Sequence, residues 1–76
     1  MERWDLHCRV QDDEILVTLL ATHYSVTYYK PPNSPQLLAR NFPKEHDKRA
    51  SMGQAEFLAR AWKLANDKAR ELGWIV

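Results

Sequence analysis

The chain opens on a strict alternation. Trp4, Leu6, Cys8 and Val10 fall on one side, Arg3, Asp5, His7 and Arg9 on the other. Side chains along a strand change face at every residue, so this spacing predicts a half-buried strand. The polar cluster Gln11-Asp12-Asp13-Glu14 ends it with turn-forming aspartates. Glu14 to Leu20 follows, with Ile15, Val17 and Leu19 on one face and Leu16, Thr18 and Leu20 on the other. Beyond the short connection Ala21-Thr22-His23, Tyr24 to Lys30 forms a third run, in which Tyr24, Val26 and Tyr28 alternate with Ser25, Thr27 and Tyr29. β-Branched and aromatic residues suit a pleated, half-buried surface. Connections this short favour hairpins over crossovers. Residues 3–30 therefore predict a three-stranded antiparallel meander.

Pro31 and Pro32 stop the third strand, because proline cannot donate to a ladder. Asn33-Ser34-Pro35 has the form of a helix start, which predicts a short helix over 35–40, closed by Asn41-Phe42-Pro43. Lys44 to Arg49 is a mixed charge run without periodicity and predicts an exposed linker. Ser51-Met52-Gly53-Gln54 then matches a capping box. After it Ala55, Leu58, Trp62, Ala65, Ala69 and Leu72 recur at spacings of three and four, with Phe57, Ala61 and Leu64 widening the stripe. Gly73 stands where a left-handed C-terminal cap is expected, and Trp74 can fold back onto the last turn.

These elements predict one α+β domain spanning residues 1–76. Its parts are a β meander (3–30), a proline-containing loop with the short helix (31–50), a long helix (51–73) and an apolar tail (74–76). A 76-residue chain supports one domain and no more. A domain of that size buries only about 60% of the surface its unfolded chain exposes. With Cys8 the single cysteine, no internal disulfide can reinforce it. A partner subunit is therefore expected.

That expectation has a location. With Trp4, Leu6, Ile15, Val17, Val26 and Tyr28 toward the long helix, Leu16, Leu20 and Tyr29 face away. Leu37, Leu38 and Phe42 are the nearest segment that can cover them. If they do not, Leu16, Leu20 and Tyr29, together with Trp74, Ile75 and Val76, form an apolar surface of the kind that marks interaction sites. The expected partner is a second copy of the chain, or another protein, with the tail adding to a neighbour's sheet edge.

The residues offer little chemistry. His7 is adjacent to Cys8 and points to the opposite face of a strand, so it cannot serve the thiol as a base. His7, His23 and His46 are far apart, and no His or Cys pair has zinc-site spacing. Both glycines, Gly53 and Gly73, belong to helix ends, which leaves no glycine-rich phosphate loop. No catalytic residue, cofactor or metal is expected. The N-terminus lacks the apolar core of a secretory signal, Ile15–Ala21 is too short to span a membrane, and a lone thiol suits a cytoplasmic setting.

The alternative is nucleic acid. The order βββα is similar, in predicted topology alone, to DNA-binding domains such as plant ethylene-response domains and the amino-terminal domains of some integrases. The residue motifs of those families are not found here. The resemblance implies a sheet face set against DNA, which here carries Arg3, His7, Arg9, Thr18 and Thr27. A net charge of +1 argues against it, since nucleic-acid binders usually carry a larger basic excess.

Overall fold

The computed structural model describes residues 6–20, 22–45, 47–50 and 52–75. The architecture is α+β: a four-stranded antiparallel meander packed against one C-terminal helix. The strands are β1 (Leu6–Gln11), β2 (Glu14–Leu19), β3 (Ser25–Tyr29) and β4 (Leu38–Arg40), in that spatial order. The helix, α1, spans Gln54–Glu71. Trp4, expected on the inner face, lies outside the described residues, as does Arg3.

The meander carries one more strand than the pattern predicts, and it replaces the short helix expected over 35–40. Ser34 does not cap a helix. Its hydroxyl accepts from the Gln36 backbone N–H at 3.2 Å and donates to the Gln36 carbonyl at 3.1 Å, which closes a local turn instead. The chain leaves that turn extended. Leu38, Ala39 and Arg40 then pair with Tyr29, Tyr28 and Thr27, covering an edge of β3 that would otherwise be bare. Leu37 is buried on the helix side and Leu38 lies outward, a two-residue period that a helix would not produce. Asn41, in the left-handed region at φ 59, ends the strand.

The core lies between sheet and helix. Ile15, Val17 and Leu19 of β2 and Val26 and Tyr28 of β3 meet Phe57, Ala61, Ala65 and Ala69 of α1, with Tyr24, Leu37 and Met52 closing the ends. The helix rides over β2, touches β1 and β3 on either side, and does not reach β4. Its buried line differs from the expected stripe. Ala65 and Ala69 lie on the expected line and Phe57 and Ala61 on its widened side, but Ala55 and Leu72 are exposed and Trp62 is 43% exposed, resting one edge on Tyr28 at 5.6 Å between ring centroids. Alanines at the centre line let the helix approach the sheet closely, and the large residues move to the flanks.

The helix ends are also built differently from each other. Gly53 is the N-cap, no side chain among the described residues caps the first turn, and Gln54 donates from its side-chain amide to the Pro43 carbonyl at 3.0 Å. Ser51 itself lies outside the described residues. At the other end Trp74 N–H donates to the Ala69 carbonyl (2.8 Å) and Gly73 N–H to the Arg70 carbonyl (3.1 Å), with Gly73 at φ 80. This is a Schellman motif. It turns Trp74 and Ile75 back against the core.

Candidate interaction surface

The face of the sheet away from α1 has no helix or strand over it among the described residues. Register sets its side chains in three cross-strand rows. His7, Thr18 and Ser25 form the first, Arg9, Leu16, Thr27 and Arg40 the second, and Gln11, Glu14, Tyr29 and Leu38 the third. Leu16 and Tyr29 are half-buried by their neighbours, and Leu38 is 45% exposed.

Arg40 organises the middle of this face. Its guanidinium pairs with Glu14 and lies over the Tyr29 ring, 5.0 Å from the centroid. Glu14 and Arg40 stand two strands apart, so their ion pair bridges β3, and Thr27 beneath it is buried. The pairing offsets the arginine charge and leaves a surface that is part apolar, part hydroxyl, with Arg9 its other guanidinium among the described residues.

Of the expected interface residues, Leu16 and Tyr29 lie on this face. Leu20 does not: it sits in the turn after β2, 56% exposed. Leu37 is in the core, Leu38 extends the open face, and Phe42 is exposed beside a loop cleft, so the expected cover does not form. Trp74 and Ile75 pack within their own chain, and Val76 lies outside the described residues. Of the expected nucleic-acid contacts, His7, Arg9, Thr18 and Thr27 share the open face, though Thr27 is shielded.

Two edges bound the sheet. β4 is three residues long. β1 is six residues long, contains neither proline nor glycine, and among the described residues pairs only with β2. Its helix-side residues are poorly covered: Leu6 and Cys8 are half-buried and Val10 is 41% exposed, whereas Ile15, Val17 and Leu19, their partners on β2, are buried. Burial pushes the Cys8 thiol up, Lys68 opposes the shift and Glu71 reinforces it, so thiolate is scarce. Exposed His7 projects from the other face.

The cleft of about 800 Å³ is lined by His23, Ser25 and the loop from Asn41 to Arg49. Asp47 anchors it and departs from the exposed linker expected over 44–49, in which Lys44, Glu45, Lys48 and Arg49 are exposed. Only 8% exposed, its carboxylate accepts from the His23 backbone N–H at 2.6 Å, the Arg49 N–H at 2.9 Å and the Arg49 guanidinium at 3.1 and 3.2 Å. Those bonds occupy the carboxylate in holding the loop to the β2–β3 connection. Elsewhere, burial pushes the Tyr28 phenol up to about 12. Among the described residues no group of three or more His, Cys, Asp and Glu could hold a metal ion, and no helix is long and apolar enough to cross a membrane.

These features define a two-layer α+β domain that, among the described residues, has one open sheet face and, at β1, the longer of two open edges. Compared with family models, curated proteins and solved structures, the chain matches none.

Proposed function

We propose that this domain is a small, non-enzymatic protein-interaction module that works as a homodimer, with the sheet making the contact. One observation carries the reading: among the described residues the sheet is unfinished, with a face no element covers and a six-residue edge whose apolar side chains remain partly in water. Sheets left open in this way are templates for pairing with another chain. A cytoplasmic setting suits the free thiol of Cys8.

The second reading is DNA binding through the open face, supported by the grouping of His7, Arg9 and Thr18 there. Against it, the Arg40 charge is taken up by Glu14, and Asp12 and Asp13 stand at the hairpin end of the same sheet.

Sedimentation equilibrium from micromolar to near-millimolar protein, at low and high salt, tests the first reading. It expects a species of twice the 8.9 kDa chain mass with little response to salt. A monomer at every concentration would sink it. Titration with a duplex DNA at 50 and 200 mM salt tests the second. Binding that falls steeply with salt and is lost in Arg9→Ala would put DNA in place of the homodimer reading.

A further inference from the structure

We infer that the second copy pairs along the free edge of β1, the two β1 strands running antiparallel about a two-fold axis at Cys8 and joining two four-stranded sheets into one of eight. This deepens the homodimer reading above and rests on it.

Parity of the backbone selects the register. The β1–β2 hairpin has a two-residue loop, Asp12-Asp13, so Gln11 and Glu14 are its closing hydrogen-bonded pair. Bonded and non-bonded pairs alternate along an antiparallel ladder. Arg9 and His7 therefore also direct their peptide groups at β2, while Leu6, Cys8 and Val10 direct theirs at the open edge. An axis at Cys8 sets the outward groups of Cys8 against those of the second copy's Cys8. It also sets Leu6 against the second copy's Val10, and Val10 against its Leu6. Every outward donor and acceptor of those three residues gains a partner.

The same register covers the exposed side chains. Leu6, Cys8 and Val10 all project to the helix side, where α1, centred on β2, leaves them under-covered. Pairing brings six such side chains into one apolar strip. Two β2 strands then lie three spacings apart, roughly 14 Å. Directly packed helices sit about 8–10 Å apart, so side chains from both helices fill the extra space. The flank of α1 on this side supplies them. Leu64, Arg60, Lys63 and Asp67 line a groove with Leu6, and Lys68 and Glu71 act on the Cys8 thiol. Lys68 and Glu71 on this flank pair within the chain at 3.2 Å, and a two-fold axis, which reverses the second helix, sets two such pairs side by side with opposite charges able to alternate across the seam. The β4 edge offers no comparable site, being half as long and tied at Arg40 to Glu14.

Cys8 reports the register directly. Opposed residues in a bonded antiparallel pair have Cα atoms about 5.5 Å apart and Cβ atoms about as far, too wide for a relaxed disulfide but within reach of a short bis-maleimide. At one linker per two chains and pH 8, each maleimide adds one thiol across its double bond and nothing leaves. The expected result is a thioether-linked dimer as the main product at concentrations where sedimentation shows a dimer, and none in Cys8→Ser. Val10→Lys, which sets a charge in the apolar strip, is expected to weaken dimerisation at least about tenfold. Leu16→Asp, on the open face, is expected to leave it within a factor of two. Monomers throughout would overturn both this inference and the homodimer reading. A dimer that does not cross-link at Cys8, or that Leu16→Asp breaks and Val10→Lys does not, would overturn the edge alone.

Discussion

At the scale of single residues, Asp47 shows how a charge run can hide a structural anchor. Nothing in Lys44–Arg49 marks one aspartate as buried, because its partners His23 and Tyr24 are distant in the chain and become neighbours only when the sheet forms. The Arg49 guanidinium, then the His23 and Arg49 backbone N–H groups, hold the Asp47 carboxyl well below the usual carboxylate range, against an opposing effect of burial. The sign of the linkage follows. The folded state binds this proton less readily than the unfolded chain, so the stabilisation is complete above about pH 4, the unfolded range for aspartate, and is lost as pH falls further toward the folded value. Thermal melts of Asp47→Asn should show a lower Tm at pH 7 and a smaller loss of Tm between pH 5 and pH 2 than the parent protein. An unchanged acid slope would mean that Asp47 does not carry it. The expected alternation of Ile15, Val17, Val26 and Tyr28, by contrast, was legible because period two involves nearest neighbours alone.

Among the elements, strands β1 to β3 and the helix could be read from the chain, whereas β4 and the rotation of α1 could not. β4 is three residues long and exists because β3 offers an edge to pair with, a tertiary fact with no local signal. Large apolar residues pull the centre of the stripe toward Trp62 and Leu72, yet the buried line runs along its widened side through Phe57, Ala61, Ala65 and Ala69. Substitution distinguishes the two faces. Ala65→Leu inserts volume where the helix meets β2 and should destabilise by about 1–3 kcal/mol in urea denaturation. Ala55→Leu, apolar on the expected stripe but exposed in the fold, should change stability by less than about 0.5 kcal/mol. Equal effects would place the stripe where the spacing predicted. The C-terminal cap was legible in full, since Gly73 and Trp74 satisfy the motif by sequence position. A Cβ at Gly73 meets nothing within 4 Å, so Gly73→Ala tests the backbone alone and should cost about 1–2 kcal/mol for the left-handed conformation.

The whole molecule joins a small core to an unfinished sheet. Such a core rarely supplies more than about 3–5 kcal/mol by itself. If two copies complete the sheet along β1, folding and association are linked, and the melting temperature depends on protein concentration. A tenfold rise in concentration adds about 1.4 kcal/mol per dimer, or about 0.7 per chain. A domain of this size shifts roughly 4–8 °C per kcal/mol, which gives about 3–6 °C per tenfold step. Melts of the parent protein from 10 μM to 1 mM should therefore climb by about 6–11 °C by the same conversion, while Val10→Lys, with its association at least about tenfold weaker, should melt lower at every concentration. A flat parent curve would show that each chain melts alone, and that Leu6, Cys8 and Val10 face water in the working protein.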